Sequence, residues 1–248
     1  MGTVAMLVSV FGTRRAIPYL RRPVHVGPEG TALLAFVDVF RTLRQHSFRI
    51  LFFAVLVFNT LAGVTQTLLV YVATYVFEFQ PGQLAGLASS VLVGILFASP
   101  VAQGLSRRLD KKAALAICVV VGGMFAFTPQ ILYFGGLLPL LSTDTKFVMV
   151  FCLNGIGQVF FIAYIILLDS MLSDSIDEHE LDSGKREEGL FFAARSFATK
   201  ASYGLGSFFA GIGLDVIQFP REATPDTVPA DAVSKLAVGS GPVSSTLL

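Results

Sequence analysis

The chain alternates long apolar runs with short polar connections. A transmembrane helix needs about 20 mainly apolar residues to cross the hydrocarbon core of a bilayer, and five stretches reach that length. Because backbone groups in lipid must be paired within their own segment, each stretch is predicted to be a helix. The five predicted spans are Ile50–Phe77, Leu84–Leu105, Ala113–Phe134, Phe147–Leu168 and Leu190–Ile217.

Two shorter apolar pieces lie at the ends of the chain. Met1–Phe11 is too short to span a membrane, and it lacks the charged start and cleavage site of a signal peptide. Leu236–Leu248 begins a last apolar segment and stops before it could cross. We therefore expect the chain to be truncated at both ends.

Composition supports a membrane environment. Hydrophobic residues make up 54% of the chain and charged residues 14%, and the mean hydropathy is +0.71. Soluble domains carry about 25% charged residues, so this chain has too few charged residues to cover a surface that faces water. The fold class predicted is an all-α membrane protein. Cys118 and Cys152 lie inside apolar runs, and we expect neither a metal site nor a cofactor.

The basic residues predict the orientation of the spans. Lysines and arginines are concentrated before the first span and in the second and fourth connections between spans, and the alternate connections hold almost none. By the positive-inside rule the basic connections are cytoplasmic. The net charge of +1 gives no indication of nucleic-acid binding. A short amphipathic helix is predicted over residues 31–44, with Leu33, Val37, Phe40 and Leu43 on one face.

One charged residue lies deep within a predicted span. Lys200 is ten residues into the span that begins near Leu190, where a charge costs about 2.5–3.5 kcal/mol and usually faces an interior cavity. Ser196, Tyr203 and Ser207 share its helical face. A polar helical face that carries one ammonium group is what a water-filled transport pathway requires. The alternative is that the lysine side chain snorkels to the membrane interface. Gly204, Gly206, Gly211 and Gly213 on this span are expected to permit close helix approach.

Two further spans carry polar stripes. Asn59, Gly63 and Gln66 follow helical spacing on the first span, and Asn154 and Gln158 do so on the fourth. Amides suit a sugar, which presents many hydroxyl groups. Hydrogen bonding between helices explains the same stripes equally well.

The connection after the fourth span is acidic and is predicted to be a cytoplasmic loop. Within it Asp174 and Asp177 form a D-x-x-D pair, which in a membrane prenyltransferase would hold magnesium and a diphosphate. Charge pairing with a neighbouring domain is the alternative. The acidic residues are Asp169, Asp174, Asp177, Glu178, Glu180, Asp182, Glu187 and Glu188.

A long segment around this connection resembles a known family. Residues 170–200, SMLSDSIDEHELDSGKREEGLFFAARSFATK, and the loop 105–112, LSRRLDKK, are similar to the glycoside–pentoside–hexuronide:cation symporters of the major facilitator superfamily. The resemblance implies the C-terminal six-helix bundle of a twelve-helix protein. Residues 1–12 are then a remnant of helix 6, 13–49 the cytoplasmic central loop, 50–217 helices 7–11, and 218–248 an external loop and the start of helix 12.

The resemblance also implies roles for individual residues. Lys200 matches the family's lysine in helix 11, near the coupling and substrate region, and Ser196 matches a nearby hydroxyl position. Ile165 stands where the family has an aromatic that packs on the sugar, which leaves the substrate open. In the family, charge pairs help to close the cytoplasmic side of the transporter, and their positions match Asp174, Asp177, Arg186 and Glu188. We assign Arg107 and Arg108 of the basic loop to the same cytoplasmic gate.

These expectations combine into one functional hypothesis. The chain is expected to be half of a secondary transporter in the inner cell membrane, coupling Na⁺ or H⁺ to a sugar or glycoside by alternating access, with an N-terminal six-helix half as its partner. A lipid or drug substrate is the nearest alternative, and the magnesium-dependent prenyltransferase is the alternative of another class. The residues proposed for the substrate and coupling region are Lys200, Ser196, Tyr203, Asn59, Gln66, Asn154 and Gln158.

Overall fold

The computed structural model describes residues 10–14, 43, 45–138, 140–184, 187–220, 228 and 233–237. The chain divides into two compact units, Met1–Asp38 and Val39–Leu248. In the first unit residues 10–13 form one turn of α-helix, and residue 14 continues it in the 3₁₀ conformation. The amphipathic helix predicted over 31–44 falls outside the described residues except for Leu43, as do most of both terminal apolar pieces.

The second unit is built from helices, and no strand occurs among its described residues. An all-α fold is therefore confirmed for the described part of the chain. In chain order the helices are α1 His46–Tyr71, which continues as a π-helical turn Val72–Val76, α2 Pro81–Ser89, α3 Val91–Arg108, α4 Lys111–Phe134, α5 Thr143–Ser183 and α6 Glu188–Val216.

Local chemistry sets several of the helix ends. α2 begins with Pro81 in its first turn, and Gln80 and Gln83 form a reciprocal capping box. α5 begins where the Ser142 hydroxyl accepts a hydrogen bond from the backbone nitrogen of Thr145 at 3.4 Å. It ends at Gly184, whose φ of 69° is left-handed and suits glycine.

Four segments are long and apolar enough to cross a membrane: His46–Val76, Pro81–Arg108, Lys111–Phe134 and Thr143–Ser183. They correspond to the first four predicted spans, and α2 and α3 together form the second. The fifth predicted span forms helix α6 but is not among the four. Its polar residues, above all Arg195 and Lys200, lower its apolar character.

The structure corrects the predicted acidic loop after the fourth span. α5 is 41 residues long and continues past Leu168 to Ser183, so Asp174 and Asp177 lie on a helix and not in a loop. At 1.5 Å per residue it is about 60 Å long, roughly twice the thickness of the hydrocarbon core. The acidic part of α5 therefore projects beyond the membrane.

Close contacts at glycines join the helices in pairs. A Cβ on Gly206 of α6 would lie 2.8 Å from the Cα of Gly63 in α1. A Cβ on Gly94 of α3 would lie 2.9 Å from the backbone of Gln158 in α5, and Gly122 of α4 faces α5 at Phe160. Small residues at these points let backbones approach, as is usual in membrane helix pairs. The bundle is thus built from the pairs α1–α6, α3–α5 and α4–α5.

Two buried clusters fill opposite ends of the bundle. One includes Phe48, Leu172 and Phe191 and lies where α1 and α6 begin and α5 passes; we call this the polar end, because the charged residues of α4, α5 and α6 gather around it. The other contains Phe77, Phe79, Leu138 and Phe219, together with Leu236 of the short helical segment 233–237.

Candidate functional site

Lys200 lies near the middle of α6 and is exposed. It follows Glu188, the first residue of the helix, by twelve residues, or about 18 Å along the axis. Ser196 and Ser207 on the same face are also exposed, and Tyr203 is half-buried. Among the described residues the Lys200 ammonium has no acceptor, so its face is open to water or to another part of the protein.

The polar face of α6 continues onto α1. The hydroxyl groups of Ser207 and Thr67 lie 3.2 Å apart. The amide nitrogen of Asn59 lies 3.4 Å from the hydroxyl of Thr199, and Asn59 itself is buried. Asn59 is therefore a contact between α1 and α6 in this structure, as the hydrogen-bonding alternative predicted.

Three other predicted site residues line a separate cavity. Gln66, Asn154 and Gln158 face a space of about 160 Å³ between α1, α4 and α5, whose walls are otherwise mostly apolar. Asn154 also donates to the hydroxyl of Ser90 at 3.3 Å. Lys200 is not among the residues that line this cavity. The structure thus divides the predicted substrate region into an exposed face on α6 and an apolar cavity on another side of α1.

The residues predicted to close the cytoplasmic side lie at the polar end. The Nζ atom of Lys111 in α4 donates to both carboxylate oxygens of Asp174, at 2.8 and 2.6 Å. Asp177 and Glu188 are exposed at the same end, and Arg186 falls outside the described residues. Arg107 and Arg108 are exposed at the end of α3, with no carboxylate within ion-pair distance among the described residues.

The Lys111 contact bears on the magnesium hypothesis. A lysine that already neutralises Asp174 occupies the carboxylate that a metal would need. The described residues hold no group of three or more His, Cys, Asp or Glu side chains placed to bind a metal ion.

Two contacts between ionisable side chains at the polar end were not predicted from the sequence. Nε of Arg195 in α6 lies 2.8 Å from Oδ1 of Asp169 in α5. Nε2 of His179 lies 3.3 Å from Oε2 of Glu187, and the His179 ring packs on Phe191. Arg195 gave a signal that was missed, because it is a second charge in the same apolar run as Lys200.

The Lys111–Asp174 pair provides a stability prediction. Both side chains are well exposed, so Lys111→Met is expected to lower the free energy of unfolding by less than about 1 kcal/mol. Thermal unfolding of the detergent-solubilised protein measures this. The matched control is Lys112→Met, because Lys112 is exposed and has no partner among the described residues. A loss of several kcal/mol specific to Lys111 contradicts the prediction.

Comparison with known proteins gives two findings. A family model described as MFS/sugar transport protein matches residues 1–246. A Synechocystis protein described as an uncharacterized symporter is 30% identical over 164 residues, which are 64% of this chain and 27% of the relative. The chain thus matches little more than a quarter of that relative's length. No solved structure is significantly similar to the chain.

Proposed function

This chain belongs to the MFS/sugar transport protein family, and from that premise we propose that it forms the C-terminal six-helix half of a cation-coupled sugar symporter. The membrane-spanning helices make it a multi-pass membrane protein. Its expected location is the inner cell membrane. The similar Synechocystis protein, described as a symporter, supports coupled transport.

The observation that carries the proposal is the exposed Lys200 in the middle of α6. A charge at that depth is costly to place in lipid and normally faces an interior cavity or a protein partner. If a second six-helix bundle covers this face, Lys200 borders the space between the two halves. Substrate and cation then bind in that space, and the halves rock to open it to either side in turn.

The polar residues have distinct proposed roles in this cycle. Lys200 responds to the charge state of the cation site, because an ammonium and a bound cation repel each other across a low-dielectric cavity. Ser196 and Tyr203 offer hydroxyl groups to the substrate. Asp177, Glu188, Arg186, Arg107 and Arg108 offer charges of both signs to the facing half at the cytoplasmic entrance, and Asp174 pairs with Lys111 there.

Coupling is tested by uptake of labelled sugars into sealed vesicles that contain the complete protein. With one cation per substrate, a tenfold inward gradient of Na⁺ or H⁺ supports accumulation of up to about tenfold. The expected result is accumulation with one of these gradients and its loss when an ionophore collapses that gradient. Equal uptake with and without both gradients contradicts coupling.

The same vesicles separate the alternatives. Competition by unlabelled sugars supports a sugar substrate, whereas competition only by lipids or drugs supports the non-sugar alternative within the same fold. The prenyltransferase alternative instead requires magnesium-dependent turnover of a prenyl diphosphate. The Lys111–Asp174 contact and the family membership argue against it.

The proposed two-half arrangement has its own test. The mass of the protein purified from its source, together with the reading frame on either side of the coding sequence for Met1–Leu248, shows whether a second bundle is on the same polypeptide. If these 248 residues are the whole product, the second half must be a separate chain, and cross-linking in native membranes identifies it.

A further inference from the structure

The ion pair between Asp169 and Arg195 joins two helices that meet over only a short stretch. The 2.8 Å contact between Arg195 Nε and Asp169 Oδ1 links the second half of α5 to the first half of α6. Both atoms are buried, and neither makes a hydrogen bond of good geometry within the described part of the chain. The attraction between the two charges therefore links α5 to α6, in addition to the His179–Glu187 contact at the start of α6.

A third polar group lies close to this pair. Tyr164 of α5 is 2% exposed, and its hydroxyl has no hydrogen-bond partner among the described residues. The Arg195 guanidinium and the Tyr203 hydroxyl are both within electrostatic reach of it. Arg195 and Tyr203, five residues before and three residues after Lys200 on α6, thus both lie near the Tyr164 hydroxyl of α5.

The pair is also close to Lys200 along the helix. Arg195 precedes Lys200 by five residues, or about 7.5 Å of axial rise. The contacts of α6 with Gly63, Asn59 and Thr67 fix it against α1, whereas its contacts with α5 include Phe191 against His179 and the Asp169–Arg195 pair. Of these two contacts with α5, the Asp169–Arg195 pair is the nearer to Lys200 along α6.

We propose that Asp169 and Arg195 are a positioning pair, which sets the place of Lys200 in the transport pathway by holding α6 against α5. This role rests on the proposed function, because it assumes that Lys200 borders the pathway. Removing one partner leaves a partly buried charge without its counterion, whereas removing both leaves none. Single substitutions should therefore displace Lys200 more than the double substitution does.

The test measures the accessibility of position 200 directly. Lys200→Cys is made in the complete protein with Cys118→Ala and Cys152→Ala, and a water-soluble thiol reagent is applied to vesicles. Asp169→Asn or Arg195→Gln is expected to change the labelling rate at position 200 by at least about threefold. In the double variant the labelling rate at position 200 should be within about twofold of the parental rate. The same is expected of the exchanged pair, Asp169→Arg with Arg195→Asp.

Asp144→Asn is the matched control, because it removes a carboxylate from the first turn of α5, far from the pair. It should leave the labelling rate unchanged. The proposal is overturned if the single variants label like the parent, or if the double variant differs from the parent as much as the worse single variant. Should a single variant fail to fold, parent-like labelling of the exchanged pair supports the proposal and altered labelling overturns it. Labelling requires no transport, so failure of this proposal is distinct from failure of the proposed function.

Discussion

Replacing Lys200 with alanine in the complete protein is expected to lower gradient-driven uptake by about a hundredfold. An ammonium in a partly desolvated pathway makes charge-assisted contacts of up to about 3 kcal/mol, and 1.4 kcal/mol corresponds to a factor of about ten. Lys200 is exposed on its helical face, and no described residue compensates its charge. The initial rate of cation-driven uptake into vesicles, normalised to the amount of protein in the membrane, measures the effect.

Two variants separate loss of this charge from general damage. Lys146→Ala removes a lysine from the first turn of α5, outside the apolar part of the bundle, and should transport at the parental rate. Lys200→Arg keeps the charge but places it on a larger planar group, so an intermediate rate is expected. If Lys200→Ala transports as fast as the parent, the central role of Lys200 is wrong.

The helices were largely predictable because a membrane span requires a long run of apolar residues, which is visible in the sequence. The first four predicted spans coincide with long apolar helices within one to a few turns. The extension of α5 was missed because counting apolar residues stops at the first acidic ones. Leu168, Leu172 and Ile176 recur every four residues and are all buried, so the signal of an amphipathic helix was present beyond the span.

The sequence could identify single residues of the candidate site but not the contacts between them. Lys200 stands out in its own segment, because a charge in an apolar run needs no partner to be noticed. The Asp169–Arg195 and Lys111–Asp174 pairs join residues on different helices, and which helix faces which is decided by packing. The amides illustrate the same limit, since Asn59 meets α6 while Gln66 lines the cavity on another side of α1.

Among the glycines of α6, packing again distinguishes residues that look alike in the sequence. Gly204, Gly206, Gly211 and Gly213 were all expected to permit close approach. Only at Gly206 would an added Cβ meet atoms of another helix within 4 Å in the described structure, where it would lie close to the Thr60 carbonyl oxygen and to Gly63 and Val64.

Gly206→Ala is therefore expected to destabilise the bundle by about 3 kcal/mol, the upper part of the range for overpacked sites. The new methyl group would lie 2.8 Å from the Cα of Gly63 and from the backbone nitrogen of Val64. These are backbone atoms, so no side chain can rotate away, and α1 and α6 must separate. The midpoint of thermal unfolding and the monodispersity of the detergent-solubilised protein measure the loss.

Gly204→Ala provides a control with the opposite expected sign. It is the same substitution two residues earlier on the same helix, at an exposed position where nothing lies within 4 Å of the added Cβ. Alanine stabilises a helix interior by roughly 0.5–1 kcal/mol relative to glycine, so this variant should be as stable as the parent or slightly more so. If both variants unfold at the same temperature, the close contact between α1 and α6 is not what holds the bundle together. If only Gly206→Ala is destabilised, the helix pair that carries Lys200 is anchored at this glycine, and the exposed face of α6 is left for whatever covers it.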